Sequence, residues 1–153
     1  MNESKSKILC VEDDEDTCEL ISFVLKQAGY EVEACSKIDC LKLIHEEKFL
    51  AFILDNWFEG TSGVDICKEI RSFDSHTPII FFSGEARPKE IELALESGAN
   101  AYLVKPNDFE KLTETVIRFI EENRIKAAPR NHVQNYEFLF FIKEIELYGE
   151  NHL

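Results

Sequence analysis

Four groups of polar residues in this chain each stand directly behind a short apolar run. Glu12, Asp13 and Asp14 follow residues 7–11, Asp55 follows 50–54, Ser83 follows 78–82, and Lys105 follows 101–104. If the runs are strands of one sheet, several carboxylates, one hydroxyl and one ammonium meet at a single rim. Carboxylates held close together repel, so their clustering costs stability unless a cation joins them. A hard divalent ion such as Mg²⁺ suits the set, because it takes oxygen ligands, keeps several waters, and needs only one or two carboxylates beside a phosphate oxygen. A lysine and a hydroxyl nearby would face the other oxygens of a phosphoryl group in transfer. That reaction asks mainly for positioning and charge neutralisation.

The pattern between these points supplies the elements that would bring them together. Leu20, Ile21, Val24, Leu25 and Ala28 recur at helical spacing, and Gly29 ends the series. Residues 30–34 alternate like a strand, and Ser36 stands where it could cap a helix carrying Ile38, Leu41 and Ile44. A loop rich in Gly, Ser and Thr after Asp55 leads to Val64, Ile66, Cys67 and Ile70 on another helix. Pro88 suits a helix start before Ile91, Leu93, Ala94 and Leu95, with Gly98 as its stop. A last helix is expected over residues 109–125. Five strand–helix units in this order predict a parallel sheet with helices on both faces. Near-continuous apolar strands agree, since parallel strands are buried on both sides. In such sheets ligands bind beyond the carboxyl ends of the strands.

The 153 residues suffice for one ordinary domain with a short appendage. Thirty acids against 17 bases give a formal net charge of −13, which repels nucleic-acid phosphates and anionic lipid. Cys10, Cys18, Cys35, Cys40 and Cys67 are odd in number and match no C-x-x-C metal spacing, so they read as thiols of a reducing compartment. His45, His76, His132 and His152 form no metal spacing and read as surface residues. The polar start is followed by no apolar signal core, and no apolar run is long enough to span a bilayer. A soluble, cytoplasmic protein is the expectation.

Four stretches together carry a family resemblance: residues 8–14 (ILCVEDD), 52–55 (FILD) with Gly63 eight residues on, 79–84 (IIFFSG) and 101–106 (AYLVKP). In this order, each at a strand end, they resemble the receiver domain of bacterial two-component response regulators over roughly residues 5–126. The resemblance implies a flavodoxin-like, doubly wound five-stranded parallel sheet of order 2-1-3-4-5 with five helices. It implies that Asp55 is a phosphoacceptor fed by a phosphohistidine of a sensor histidine kinase or histidine phosphotransfer protein. Asp13 would bind Mg²⁺ directly and Glu12 through water, with Asp55 and the Trp57 backbone carbonyl as further ligands. Ser83 would be the switch hydroxyl, Lys105 the ammonium that faces the phosphoryl group, and Tyr102 the aromatic switch residue. The Lys105–Pro106 bond would be cis. Asp14 and Asp16 read instead as helix-cap or first-turn acids.

The chain departs from the family pattern in three places. Glu59 stands where a proline is usual, followed by Gly60, which predicts a looser loop with an added acid. Trp57 and Glu85 occupy the positions flanking the phosphoryl site, and an indole there could shield an acyl phosphate from water. Finally, residues 127–153 read as a linker and an apolar extension of helical character, with Phe138, Phe141, Ile142 and Ile145 on one face. That stretch is too short and not basic enough for a DNA-binding output domain. The expected output is contact with a downstream protein target, with no direct nucleic acid or membrane binding. The extension is read as packing on the domain, joining a homodimer or binding a partner, and the sequence leaves these open. Two other readings compete: a receiver-like interaction module that works without phosphorylation, and an enzyme of the same architecture. Against the enzyme, Trp57 stands where an aspartyl-nucleophile phosphatase wants a second acid, and no Gly-rich phosphate loop occurs.

Overall fold

The computed structural model describes residues 7–58 and 60–128. Along the chain run β1 (Lys7–Val11), α1 (Glu15–Gln27), β2 (Glu31–Cys35), α2 (Lys37–Glu46), β3 (Ala51–Leu54), a small hairpin of β4 (Trp57–Phe58) and β5 (Thr61–Ser62), α3 (Gly63–Phe73), β6 (Ile79–Ser83), α4 (Pro88–Glu96), β7 (Ala101–Val104), a single 3-10 turn (Phe109–Lys111) and α5 (Leu112–Ala127). One unit runs to Asn123 and a second begins at Arg124. The apolar extension and Glu59, both singled out above, lie outside the described residues, as do His132 and His152.

Five strands form one parallel sheet in the order β2-β1-β3-β6-β7, which is the expected 2-1-3-4-5 counted over its own strands. Strand side chains alternate between the two faces, and two cores result. Leu9, Val11, Phe52, Leu54, Ile79 and Phe81 face α2, α3 and α4 through Cys40, Ile44, Ile66, Cys67, Ile70 and Ala94. Ile8, Cys10, Ile53, Ile80, Phe82 and Leu103 face α1 and α5 through Ile21, Leu25, Leu112, Val116 and Ile120. The central strands are therefore apolar at every position over residues 8–11, 51–54 and 79–82, while the edge strand β2 alternates. The register pairs Val11 with Leu54, Leu54 with Phe81, and Ser83 with Val104. Parallel strands in this register deliver the residues that follow them to the same edge.

Local sequence sets the element ends. Asp14 caps α1, its carboxylate accepting the Thr17 N–H at 3.0 Å, which leaves Glu12 and Asp13 in the turn ahead of the helix. Ser36 precedes α2 but makes no capping bond to its backbone; its hydroxyl donates to Asp39 instead, at 3.1 Å. The segment after Asp55, expected as a plain loop, closes into the β4–β5 hairpin, pairing Trp57 with Ser62. The last helix splits where the sequence suggested one piece, because Phe109–Lys111 winds as a tighter turn before α5. No disulfide joins any of the five cysteines. Among the described residues no helix is long and apolar enough to cross a membrane.

Arg71 on α3 ties the loops at the opposite edge. Its guanidinium donates to the carbonyls of Gly98, Asp74 and Thr77 at 3.0, 3.1 and 2.8 Å and to Asn100 Oδ1 at 3.1 Å. Asn100 in turn pairs with both backbone groups of Ile79, the first residue of β6. Hydrogen bonds from a charged donor are worth more than neutral ones, and half-buried carbonyls left unpaired carry a desolvation cost. Replacing Arg71 with Met keeps the aliphatic stem and removes all four bonds. The expected result is a loss of about 3 kcal/mol in urea unfolding followed by circular dichroism. An unchanged midpoint would show that the clamp does not hold these loops.

Candidate functional site

The first and third strands lie side by side, and the Asp55 N–H donates to the Val11 carbonyl at 3.1 Å. Glu12 follows Val11 into a buried position, 7% exposed. A buried carboxylate needs a partner, and Lys105, arriving from the end of β7, supplies it. Lys105 Nζ donates to Glu12 Oε2, stands 3.8 Å from Asp55 Oδ2, and lies 5.5 Å from the centre of the Phe82 ring. The other Glu12 oxygen accepts the Asp14 N–H at 3.1 Å. Residues distant in sequence thus form one ion cluster: Glu12 and Asp55 with Lys105 between them. Asp13 sits beside them, exposed, in the turn after β1. The Lys105–Pro106 peptide is cis, and the Lys105 N–H donates to the Ser83 carbonyl at 2.9 Å, which fixes the lysine beside β6.

Asp55 is held by its neighbours as well as by Lys105. Its Oδ1 accepts the Asn56 N–H at 2.7 Å. Gly63 closes in from the start of α3: a Cβ built there would come within 2.2 Å of the Asp55 carbonyl oxygen and 2.8 Å of the Phe81 ring. Only glycine leaves room for this approach, and the Gly63 N–H donates to the Asn56 carbonyl at 3.1 Å.

Ser83, Glu85 and Tyr102 form the other side of the site. The Ser83 hydroxyl is buried, and its oxygen accepts the Glu85 N–H at 3.2 Å. Tyr102 lies inward against β6. Its ring stacks on Phe81 at 5.5 Å with a 12° tilt, and its hydroxyl donates to the Glu85 carbonyl at 2.7 Å. Burial pushes the Tyr102 phenol up. Trp57 is 64% exposed, and its indole N–H donates to Glu85 Oε2 at 3.2 Å, bridging the loops after β3 and β6. The Arg87 guanidinium grips the same carboxylate through Nε and Nη2, both at 2.8 Å. That grip holds the Glu85 carboxyl down at about 2.

Among the described residues no three His, Cys, Asp or Glu side chains are grouped as a metal-ligand set. Mg²⁺ does not require three, since it is held by one or two carboxylates and completed by water. The donors on offer near Asp55 are all oxygen, and three carboxylates against one ammonium leave two negative charges at the rim. That chemistry fits one hard divalent ion, and the two Glu12 oxygens engage Lys105 and the Asp14 N–H.

The model of the response regulator receiver domain matches residues 8–117. The chain belongs to this family. Among relatives of receiver-containing proteins, the CpxR homologue of Haemophilus influenzae, a transcriptional regulatory protein, is 33% identical over 89% of this chain and 58% of its own length. The DNA-binding response regulator MtrA of Mycobacterium bovis is 28% identical over 90% of this chain and 60% of its own. This chain therefore spans well under two thirds of those relatives. Solved receivers overlay on it closely. A CheY-like receiver of Methanospirillum hungatei has a TM-score of 0.74 at 25% identity, covering 80% of this chain and 99% of its own. Vibrio cholerae CheY4 has a TM-score of 0.68 at 29% identity, covering 76% and 99%. The receiver fold, five parallel strands and five helices, and a signalling role are thereby established for the chain.

Sequence reasoning had singled out every member of the ion cluster but passed over Asn56 and Arg87. Arg87 gave one signal, its place two residues after Glu85. Asn56 gave one too: a polar residue directly behind Asp55, two residues past a buried strand. The Glu85–Arg87 contact yields a pH prediction. A glutamate held below its usual 4.5 contributes stability that is complete above about 4.5 and is lost as pH falls through about 2. In Arg87→Ala the Glu85 carboxyl midpoint, followed by carbon-detected NMR, should climb from about 2 toward 4.5. A midpoint that stays at about 2 would mean Arg87 does not hold it.

Proposed function

We propose that Asp55 accepts a phosphoryl group from a phosphohistidine of a sensor histidine kinase or phosphotransfer protein, and that the modified domain changes its protein contacts. The observation that carries this reading is Lys105 standing between Glu12 and Asp55 at the strand ends. In the transfer, an Asp55 carboxylate oxygen forms a bond to phosphorus while the phosphorus–nitrogen bond to the donor imidazole breaks and the nitrogen keeps the electron pair. Asp13, Asp55 and the Trp57 carbonyl would hold Mg²⁺ directly and Glu12 through water, and the ion when bound would neutralise charge on the phosphoryl oxygens. The Asn56 N–H orients the carboxylate through Oδ1, leaving Oδ2 on the Lys105 side. Lys105 can then follow the new negative charge without leaving the cluster. The Ser83 hydroxyl, whose oxygen accepts the Glu85 N–H, would donate its proton to a phosphoryl oxygen, and its turn toward that group would pull on the loop to which Tyr102 is bonded. A local change in charge thus biases a two-state surface.

In this reading residues 1–126 are the phosphoacceptor unit, residues 127–153 an apolar extension, and the compartment is the cytoplasm. Its net charge of −13 favours a protein target over nucleic acid. The Trp57–Glu85 bridge closes the approach between the two flanking loops, so the acyl phosphate is expected to be long-lived.

Incubating the protein with acetyl phosphate and Mg²⁺ should add one phosphoryl mass, and Asp55→Asn or chelation of the metal should abolish it. No adduct on the wild type would favour an interaction module that works without phosphorylation. Trp57→Asn should shorten the lifetime of the phosphorylated form several-fold in a mass-resolved decay; an equal decay in both proteins rules out shielding. Binding of Mg²⁺ alone should change the fluorescence of Trp57, the sole tryptophan, and Asp13→Asn should weaken that response by at least tenfold in apparent affinity.

A further inference from the structure

Trp57 stands two residues past the phosphoacceptor and is 64% exposed. Its backbone pairs with Ser62 in the β4–β5 hairpin. Packing alone does not fix an indole that leaves so much surface in water. What directs the ring is its N–H, which donates to Glu85 Oε2 at 3.2 Å. The place of the indole therefore follows the place of the Glu85 carboxylate.

A glutamate on a loop has several rotamers open to it, and Arg87 selects one. Glu85 Oε1 accepts the Arg87 backbone N–H at 2.9 Å and its Nε–H at 2.8 Å, while Oε2 accepts Nη2–H at 2.8 Å. With the indole, four donors meet a carboxylate that offers about four acceptor positions, and three of the four belong to Arg87. The planar fork engages both oxygens at once, so it fixes the direction of the carboxylate as well as its charge. The Glu85 side chain is 11% exposed and that of Arg87 65%. The carboxylate is thus covered, while the guanidinium that holds it stays open to solvent.

Arg87 is itself anchored. It is the N-cap of α4, where its carbonyl accepts the Glu90 and Ile91 N–H groups at 3.0 and 3.1 Å, and Pro88 follows in the first turn. A continuous run of bonds leads from the start of α4 through Arg87 and Glu85 to the indole. The Glu85 backbone is held separately, by Ser83 and Tyr102.

We propose that Arg87 is a positioning residue that fixes the Trp57 indole between the loops flanking Asp55 by way of the Glu85 carboxylate, so that the start of α4 sets how readily water reaches the acyl phosphate. The role in reactivity rests on the phosphoacceptor reading above; the placement of the indole does not. Neutralising the Glu85 charge is a different role, which a lysine would fill as well as an arginine.

The test uses the full chain labelled with ¹⁵N, which gives one indole resonance because Trp57 is the sole tryptophan. Wild type, Arg87→Ala and Arg87→Lys are compared without phosphodonor. Exchange of the Trp57 indole proton with water should rise by about threefold or more in Arg87→Ala. It should also rise in Arg87→Lys, which keeps the charge and loses the fork. Exchange equal to wild type in the folded variants overturns the proposal, and so does full restoration by lysine. A lowered thermal midpoint with unaltered exchange would show a merely structural arginine. Should one variant fail to fold, the other decides alone. A second arm follows decay of the form phosphorylated by acetyl phosphate and Mg²⁺. Arg87→Ala should shorten its lifetime several-fold. Combined with Trp57→Asn it should decay no faster than Trp57→Asn alone, because both changes remove the same shield. Effects that multiply would mean that Arg87 acts independently of Trp57, and would overturn the proposal. If the wild type takes up no phosphoryl group, the phosphoacceptor reading fails and the indole exchange still decides the placement.

Discussion

The site depends on one ammonium among carboxylates. At an effective dielectric near 20, two unit charges about 4 Å apart interact by about 4 kcal/mol. Lys105 gains such a term from Glu12 and another from Asp55, before the cost of removing all three from water. Without it, the same distances would turn into repulsion between two acids of which one is almost wholly buried. The sheet can end in a row of acids because one strand, β7, ends in a base. The same balance leaves a residual negative charge, and a divalent ion is the natural means of closing it.

Backbone contacts make that balance precise. The Asp55 N–H is tied to β1, the Lys105 N–H to β6, and the Gly63 N–H to Asn56. Each charged side chain thus grows from a backbone already fixed by its neighbour, so little conformational freedom remains to be lost when a ligand arrives. The side opposite the ion cluster is arranged differently. There Glu85 gathers Trp57, Arg87, Ser83 and Tyr102 through separate polar groups, three of them on one carboxylate or its amide and one on its carbonyl. A rigid half thus faces a half whose bonds can be exchanged.

Much of this was legible in the residues. Runs that are apolar at every position, such as residues 79–82, are what a strand covered on both faces requires, and the two cores show why. The glycines at 29 and 98 stop their helices with φ of +93° and +114°, a conformation that favours glycine over side-chain-bearing residues. Strand ends read from sequence brought Glu12, Asp55, Ser83 and Lys105 to one rim, which is where the structure places them. What escaped was set by contacts rather than by periodicity. The β4–β5 hairpin involves only two residues a side, too few for alternation to register. Arg87 stands two residues after Glu85, but that spacing does not tell that both arms of its fork will close on one carboxylate. The inward pose of Tyr102 likewise depends on Phe81 and on a carbonyl, partners that no local pattern announces.

The placement of the charged set on turns at one end of the sheet has a consequence for how such a domain can diverge. The chemistry occupies strand termini, while the outward faces of the helices carry none of it: Leu20 and Phe23 on α1, or Leu93 and Leu95 on α4, are large apolar residues left 40–61% exposed without touching the ion cluster. Those faces can be rewritten residue by residue while the reaction centre stays intact. Partner choice and reactivity are thereby separable properties of a single small fold, and a lineage can acquire new correspondents without relearning its chemistry.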